Sequence, residues 1–240
     1  MDDLFDIFNV KAIEVEEEVS QPKKKQKIVD KNKLIKTAKR ILNNEYRQNY
    51  SLTVLQDHKD IEKMYDSCLK LSYEPYSYQK ISGVVIDSLF GLNKIDVSNI
   101  LVSSPTGSGK TFLIKHAAVR ASQTQQKLII GVPLVALAEQ TYFELKKLLK
   151  EFDKNDPEFS PVGIRTGPSE MFPDANVLVC TYEIISIELA LSMDFLNNVP
   201  TVILDEIHFM TDRDRGARVE YIASSLPDST GLIGLSGTIP

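Results

Sequence analysis

A glycine-rich stretch in the middle of the chain has the residue types of a phosphate-binding loop. The octapeptide SPTGSGKT occupies residues 104–111, between the apolar run NILVS and the helix-like TFLIKHAAVR. Gly107 and Gly109 allow backbone N–H groups to curl around phosphate oxygens, and the dipole of the following helix favours negative charge. We expect Lys110 to meet the β- and γ-phosphates of a nucleotide and Thr111 to bind Mg²⁺. The strict pattern has glycine where Ser104 stands, so a solvated glycine-rich turn is the alternative.

Two adjacent carboxylates follow a second apolar run, in TVILDEIHFM at residues 201–210. We expect Asp205 to hold Mg²⁺, directly or through a water molecule, and Glu206 to position and deprotonate an attacking water. Phosphoryl transfer needs little besides positioning and charge neutralisation. The two stretches together therefore predict nucleotide hydrolysis. The alternative for the second stretch is a helix N-cap followed by a solvated glutamate.

Alternating strands and helices are predicted to position both stretches. Strand-length apolar runs lie at residues 100–102, 128–132, 162–164, 177–180, 202–204 and 232–235. Helical stretches lie between several of them, at residues 110–121, 133–150 and 183–196. This alternation predicts an α/β fold with a mainly parallel sheet covered by helices on both faces. Ligands bind beyond the carboxyl ends of such strands, which is where both stretches fall.

The residues before this region are expected to form helices. One apolar stripe consists of Leu34, Ile35, Ala38, Ile41 and Leu42, and it is repeated by Ile61, Met64, Tyr65, Cys68 and Leu69. A third helix is predicted over residues 78–90, ended by Gly91 and slightly weakened by Gly83. These helices are interpreted as structural.

The first 30 residues are predicted to be a disordered charged tail. Residues 1–20 carry one Lys against seven Asp or Glu, whereas residues 21–40 carry nine Lys or Arg against one Asp. Such blocks of like charge cannot offset the ordering entropy of a packed segment. An apolar cluster at residues 4–8 either docks on a partner or is a random patch. The run PKKKQK at residues 22–27 resembles a nuclear import signal, although solvated tails also contain such runs.

Composition argues against several classes of protein. The 240 residues are 42% hydrophobic, which allows one sizeable core. Cys68 and Cys180 lie far apart with only three His in the chain, so we expect a reducing compartment rather than a disulfide framework or zinc site. No apolar run approaches the ~20 residues of a membrane span, and we expect the protein to stay inside the cell without membrane contact. Because the net charge is −5, nucleic-acid binding would depend on local placement of groups.

The order of short motifs resembles the DExH branch of the superfamily two helicases. DEIH at residues 205–208 follows SPTGSGKT and precedes SGT at residues 236–238. PLVALAEQ at residues 133–140 resembles motif Ia, RTG at residues 165–167 resembles motif Ib, and TYE at residues 181–183 resembles the next backbone-contacting motif. Gln79 stands where the adenine-reading glutamine is expected, and Tyr73 matches the aromatic that stacks on adenine. The resemblance covers roughly residues 71–240.

This resemblance implies a RecA-like P-loop domain over residues 73–240, after a tail at 1–30 and a helical extension at 31–72. It implies ATP and Mg²⁺ as cofactors. The nucleotide would be bound by Tyr73, Gln79, Thr106, Gly107, Ser108, Gly109, Lys110, Thr111, Asp205 and Glu206. The nucleic-acid backbone would be contacted by Pro133, Ala136, Gln140, Thr166, Gly167 and Thr181. His208, Ser236 and Thr238 would couple the ATP state to the grip on nucleic acid; the alternative for His208 is a satisfied histidine at a strand exit.

The stretch DEIHFMTDRDRG, residues 205–216, resembles the superkiller type of RNA helicase, and MDDLFDIF resembles the start of the nuclear exosome-cofactor helicases in that group. The sequence departs from that pattern in the residue types at 104–106 and 133–140 and in Gly237, where alanine is usual. The resemblance implies an ATP-dependent RNA helicase that binds single-stranded RNA without reading its sequence. It further implies RNA processing or decay in the nucleus, otherwise in the cytoplasm, with the tail as a contact to an RNA-decay complex.

Two alternatives remain open: a duplex DNA translocase of the same superfamily, and a non-enzymatic nucleotide-dependent adaptor if the chain is naturally 240 residues long. In superfamily two, a second RecA-like domain supplies arginines that stabilise the transferring phosphoryl group. No motif of this chain resembles that half. We therefore expect an N-terminal part of a longer product that ends at motif III. Alone, it should bind ATP weakly, hydrolyse it very slowly and unwind nothing.

Overall fold

The computed structural model describes residues 11–12, 58–95, 97–152, 160–191, 193–196, 198–212 and 216–237. The described residues all belong to one of two compact units, and the other unit, Val15–Val54, lies outside them. The predictions for the apolar cluster at residues 4–8, the basic run at residues 22–27, the first helical stripe and Thr238 therefore concern residues that the structure does not describe.

Strands and helices alternate along the described part of the chain. The strands are β1 (Lys11–Ala12), β2 (Asn99–Ser103), β3 (Leu128–Val132), β4 (Val162–Arg165), β5 (Glu170–Met171), β6 (Val177–Thr181), β7 (Thr201–Asp205) and β8 (Gly231–Ser236). The α-helices are α1 (His58–Lys63), α2 (Ser77–Leu89), α3 (Thr111–Thr124), α4 (Val135–Leu148), α5 (Tyr182–Leu191) and α6 (Gly216–Ser224). Short 3-10 helices lie at Leu149–Phe152, Met193–Leu196 and Ile207–Thr211. No helix among the described residues is long and apolar enough to cross a membrane.

The strands form one sheet in the order β1-β2-β8-β7-β3-β6-β4-β5, and every neighbouring pair is parallel except β4 with β5. The register pairs Ser103 with Ser236 and Asp205 with Leu235. The ends of β2 and β7 therefore flank the end of β8 at the same edge. The expected α/β class with a mainly parallel, helix-covered sheet is confirmed.

The core lies on both faces of this sheet. All five residues of β3 and of β6 are buried, as are all six of β8. Continuous apolar runs are typical of parallel strands, because helices cover both faces and leave no side to water. Each of the six strand-length runs named from the sequence forms a strand, and the observed ends differ from the predicted ones by at most one residue. Helix α2 ends one residue before its predicted end, and Gly91 beyond it has φ +72°.

The predicted helical stripe over residues 61–69 is wrong beyond Lys63, where α1 ends. The chain that follows packs on α3 in a non-helical path. The Tyr65 ring lies beside the His116 ring, with centroids 6.0 Å apart, and the Arg120 guanidinium donates a hydrogen bond to the main-chain oxygen of Asp66 at 2.9 Å. These tertiary contacts use ring faces and a carbonyl that a continued helix would direct elsewhere.

A buried cluster of charged residues joins α2 to α3. The Asp87 carboxylate accepts hydrogen bonds from Arg120 Nε at 2.8 Å and Arg120 Nη2 at 3.0 Å, and its Oδ1 lies 2.7 Å from His116 Nε2. The three residues are at most 8% exposed. A Cβ at Gly83 would lie 3.3 Å from the His116 ring and 3.2 Å from the Tyr65 ring, so this glycine allows a close packing that outweighs its low helix propensity.

Several elements differ from the sequence predictions in extent. The strand β1 pairs with β2 and lies inside the predicted disordered tail, so that prediction fails for its two residues. The stretch predicted as one helix over 183–196 divides into α5 and a 3-10 helix. The strand β5 and the helix α6 had no counterpart among the predictions; β5 has only two residues, too few to show a period.

Candidate nucleotide-binding site

The loop between β2 and α3 curls in the way that its glycines allow. Gly107 has φ +83° and Gly109 has φ +92°, both in the left-handed region that favours glycine. A Cβ at Gly109 would lie 2.7 Å from the Gln79 side-chain nitrogen, which excludes a larger residue without a shift. Helix α3 starts at once, since the amide of Phe112 donates to the Gly109 carbonyl at 2.9 Å. The loop thus stands at a helix N-terminus, where anions are favoured.

The ammonium of Lys110 is folded back onto its own loop. It donates hydrogen bonds to the main-chain oxygens of Ser104 at 2.8 Å and Pro105 at 3.3 Å. Ser104 replaces the glycine of the strict pattern, and its hydroxyl donates to the Ser108 hydroxyl across the loop. Its amide donates to the Ser236 carbonyl at 3.0 Å. The substitution therefore adds a polar contact inside the loop and leaves the curl intact.

The N-terminus of α2 supports the same loop. Gln79 is 1% exposed; its Nε2 donates to the Gly109 carbonyl at 3.1 Å and its Oε1 accepts from the Tyr76 amide at 3.0 Å. The Tyr78 hydroxyl donates to the Ser108 carbonyl at 2.6 Å, a contact that the sequence did not indicate. Tyr73 is 54% exposed. Gln79 thus lies at the phosphate loop, and adenine recognition by Gln79 and Tyr73 stays a prediction.

Two carboxylates stand at the end of β7, which is separated by β8 from the strand that precedes the phosphate loop: Asp205 is the last residue of β7, and Glu206 follows it. Burial, and secondly the neighbouring Glu206, raises the pKa of Asp205 to about 6, while Lys110 acts in the opposite direction. Glu206 has φ +56°, a backbone conformation that costs a non-glycine residue about 1 to 3 kcal/mol. Such strain is typical of functional sites and aims the Glu206 side chain differently from that of Asp205.

The donors of this site suit Mg²⁺. The ion prefers oxygen ligands and is held in proteins by one or two carboxylates together with phosphate oxygens. The Asp205 carboxylate and the exposed Thr111 hydroxyl are such donors. Burial, and secondly the nearby Glu206, disfavours the charged form of Asp205 and raises its pKa, and Glu206 Oε2 is a buried atom without a hydrogen-bond partner among the described residues. A divalent cation would relieve both conditions.

The phosphate loop and the carboxylates converge at Gly237, just after β8. A Cβ at Gly237 would lie 3.1 Å from Thr106 Oγ1, 3.7 Å from Lys110 Nζ and 3.8 Å from Glu206 Oε2. Two groups of the phosphate loop and one carboxylate about 100 residues later in the sequence therefore lie close to one backbone position. The site takes its shape from the strand order, because β8 lies between β2 and β7.

His208 lies beside the catalytic glutamate expected from the sequence. Its Nδ1 lies 3.2 Å from Glu206 Oε2, close enough for an electrostatic interaction. The two atoms do not form a hydrogen bond with each other, and both are buried without a hydrogen-bond partner in the described part of the chain. The His208 ring stacks on Phe209, with centroids 5.0 Å apart. Ser236, the second predicted coupling residue, is 1% exposed at the end of β8. The proposed coupling between these residues is a prediction that the geometry accommodates.

The residues expected to contact nucleic acid lie at the carboxyl edge of the other half of the sheet. Their strands β3, β6 and β4 are neighbours, which brings the three motifs side by side. Ala136, Gln140 and Gly167 are exposed, whereas Pro133, Thr166 and Thr181 are buried. The Thr166 hydroxyl accepts a hydrogen bond from the Ser169 amide at 3.1 Å. The exposed members form the accessible part of this predicted interface.

A contact that the sequence did not predict links the end of β6 to the end of β7. The hydroxyl of Tyr182, the residue after Thr181, donates a hydrogen bond to the main-chain oxygen of Asp205. No periodicity or spacing rule could reveal it, since it joins residues 23 positions apart across an intervening strand.

Comparisons with known proteins agree with this architecture. A family model described as DEAD/DEAH box helicase matches residues 76–240. A solved structure of Dbp5 from Saccharomyces cerevisiae superposes with a TM-score of 0.50 at 20% sequence identity, over 65% of this chain and 42% of that chain. The structural likeness concerns the fold.

Curated relatives share more of the sequence. The chain is 37% identical over 142 residues to the ATP-dependent RNA helicase mtr4 of Schizosaccharomyces pombe and 36% identical over 142 residues to the exosome RNA helicase MTR4 of Homo sapiens. It is 32% identical over 142 residues to the antiviral helicase SKI2 of Saccharomyces cerevisiae. Each match covers 59% of this chain and 10 to 13% of the relative, so the chain spans about a tenth to an eighth of their length.

Proposed function

The chain belongs to the DEAD/DEAH box helicase family, and from this premise we propose that it forms the first RecA-like motor domain of an ATP-dependent RNA helicase. The ATP-binding domain would comprise residues 73–240, preceded by an extension at 31–72 and the charged tail at 1–30. The observation that carries the proposal is the convergence of Thr106, Lys110 and Glu206 around Gly237. This places a cationic donor, a hydroxyl and a carboxylate around one point, as phosphoryl transfer requires.

The residues have separate tasks in this mechanism. Backbone N–H groups of residues 107–111 bind the phosphates of ATP, and the Lys110 ammonium offsets their charge. Asp205 and Thr111 would hold Mg²⁺, which when bound would supply positive charge at the phosphate oxygens. Glu206 accepts a proton from the attacking water, and its fixed backbone directs the carboxylate toward that water.

Nucleic-acid binding is assigned to the exposed residues at the neighbouring edge. Ala136 and Gln140 lie in the first two turns of α4, which follows β3, and Gly167 follows β4, so a single strand could lie along the carboxyl ends of these strands. Contacts to phosphate and sugar hold position without reading sequence. RNA is proposed as the substrate because the similar proteins are named as RNA helicases. His208, Ser236 and Thr238 would transmit the ATP state to this grip.

A nuclear role in RNA processing or decay is proposed for the protein. Support comes from relatives that are named as exosome RNA helicases and from the basic run at residues 22–27. The acidic and apolar start of the chain would provide the contact to an RNA-decay complex.

The test compares ATP hydrolysis by the full-length protein with single-stranded RNA, with duplex DNA and without nucleic acid. Stimulation by RNA of any sequence, exceeding that by duplex DNA, is the expected result. Stronger stimulation by duplex DNA would replace the proposal with a DNA translocase. Nucleotide binding without hydrolysis under any condition would replace it with a nucleotide-dependent adaptor.

A further inference from the structure

The Tyr182 hydroxyl connects the carboxyl ends of two strands of the sheet, β6 and β7. It is the first residue of α5 and directly follows Thr181, the last residue of β6 and a member of the predicted nucleic-acid interface. Its side chain is buried, with the residue 1% exposed, and its hydroxyl donates to the main-chain oxygen of Asp205 at the end of β7. The strand β3 lies between β6 and β7, so this hydrogen bond spans an entire strand.

A glycine in the intervening strand leaves room for the ring. Gly131 of β3 pairs with Cys180 on one side and Leu204 on the other. A Cβ at Gly131 would lie 3.1 Å from Tyr182 Cε1 and 2.9 Å from Leu204 Cδ2. A methyl group there would press on the Tyr182 ring, on Leu204 and on Ile185, whose Cδ1 would lie 2.9 Å away. The path of the ring therefore depends on a residue without a side chain.

The chemistry of this contact is that of a fixed donor. Burial raises the pKa of the Tyr182 hydroxyl well above its ordinary value, so it keeps its proton at every physiological pH. A buried hydroxyl that loses its acceptor keeps the full cost of desolvation. The main chain of Asp205 and the hydroxyl of Tyr182 are thus held together. A shift of the N-terminal turn of α5, which carries Tyr182, would therefore move the main chain of Asp205.

We propose that Tyr182 is a positioning residue that couples nucleic-acid binding at the end of β6 to the magnesium-holding Asp205. The inference rests on the proposed function, because it needs a nucleic-acid strand along the carboxyl ends of β3, β6 and β4 and a nucleotide at the phosphate loop. A strand bound there, above the buried Thr181, shifts or fixes the first turn of α5, and the Tyr182 hydroxyl passes this to the Asp205 main chain. The accepting carbonyl belongs to the peptide group that joins Asp205 to Glu206, so the same contact positions the backbone of the water-activating residue.

This connection differs from the one expected for His208, Ser236 and Thr238. His208 follows β7, and Ser236 and Thr238 lie at and after the end of β8, whereas Tyr182 follows β6 and reaches β7 across β3. The two connections therefore start from different strands, and both lead to Asp205 and Glu206. Removal of the Tyr182 hydroxyl should weaken coupling while leaving each binding site in place.

The test uses Tyr182→Phe in the full-length protein, which removes only the hydroxyl. The dissociation constant of a fluorescent single-stranded RNA is measured with and without a non-hydrolysable ATP analogue plus Mg²⁺. The ratio of the two constants measures coupling by binding alone, and RNA-stimulated over basal ATP turnover is a second readout. We expect the ratio to fall roughly 5-fold or more, within the usual range of coupling energies, with RNA affinity in the absence of nucleotide changed less than about 2-fold.

Tyr142→Phe is the matched control. Tyr142 is also 1% exposed, lies on α4, and its hydroxyl accepts a hydrogen bond from Lys146 at 3.3 Å. The control should keep the wild-type coupling ratio. Gly131→Ala is a second variant, and it should reproduce the Tyr182→Phe loss by displacing the ring.

The outcomes are separable. Unchanged coupling in Tyr182→Phe overturns the inference, and so does an equal loss in Tyr142→Phe, which would attribute the effect to general packing. If the wild-type protein shows no RNA binding or no effect of nucleotide on it, the proposed function itself fails and the inference falls with it. A loss confined to Tyr182→Phe and Gly131→Ala supports the assignment.

Discussion

The Lys110 ammonium lies 2.8 Å from the main-chain oxygen of Ser104, inside the loop that it is expected to share with phosphate. The carbonyl is a neutral acceptor, whereas a phosphate oxygen carries charge, and charge-assisted hydrogen bonds are the stronger kind. ATP binding therefore exchanges a weaker acceptor for a stronger one. The exchange releases Ser104 and Pro105 from the ammonium at the moment when the phosphates arrive.

Lys110→Ala should weaken ATP binding at least about 10-fold, because the loop loses the charge that offsets the phosphates. The affinity is measured by titration with a fluorescent ATP analogue. Lys115→Ala is the control: Lys115 lies on the same helix, and its ammonium pairs with Glu144 at 2.8 Å. Equal ATP affinities in the two variants would contradict the role of Lys110.

Glu206→Gln should lower RNA-stimulated ATP turnover roughly 10²- to 10⁴-fold, the usual range for loss of a general base. ATP binding should survive, because the amide keeps the shape of the side chain. Single-turnover hydrolysis and nucleotide titration separate the two effects. Glu220→Gln, an exposed substitution on α6, should leave both unchanged. Undiminished turnover in Glu206→Gln would remove this residue from the mechanism.

Arg120→Leu should destabilise the fold by about 3 to 5 kcal/mol, because it leaves the buried Asp87 carboxylate without its guanidinium partner. Urea unfolding followed by circular dichroism gives the free energy. Lys70→Ala removes the exposed ion pair with Glu151 at 3.1 Å and should cause no measurable change. Similar losses in both variants would show that burial of the Asp87 cluster has no special importance.

Both cysteines should react slowly with thiol reagents in the folded protein. Burial raises the pKa of Cys68 to about 12 and that of Cys180 to about 12, so both thiols are neutral at pH 8. Iodoacetamide labelling followed by mass spectrometry should be slow in buffer and fast in urea. Because the folded state holds these protons more tightly, their contribution to stability is complete below about pH 9 and is lost as pH rises toward about 12. Rapid labelling of either native thiol at pH 8 would contradict this.

The sequence predicted those parts of the fold that local patterns encode. Continuous apolar runs placed six strands, and their alternation with helices predicted the parallel sheet. SPTGSGKT and DEIH stood at strand ends, so their convergence followed from the fold class. The order of the strands, which puts Gly237 among Lys110, Thr106 and Glu206, depends on tertiary packing and has no local signature.

The failures also have a physical cause. The stripe at residues 61–69 has helical spacing, but Tyr65 and the Asp66 carbonyl are used by α3 instead. A short-range pattern cannot report that a distant helix offers better partners. The Tyr182 hydrogen bond to Asp205 escaped detection for the same reason, since it needs three strands in the correct order.

The position of β8 in the middle of the sheet has a consequence for biosynthesis. The Leu232 amide donates to the Asn99 side chain, 133 residues earlier, and β8 separates β2 from β7. While the chain is being made, the strands that carry the phosphate loop and the carboxylates emerge before the strand that joins them. Such non-local pairing is slow and leaves strand edges uncovered in the meantime. The nascent chain therefore cannot bring the phosphate loop and the carboxylates together around Gly237 until β8 has been synthesised and has paired with β2 and β7.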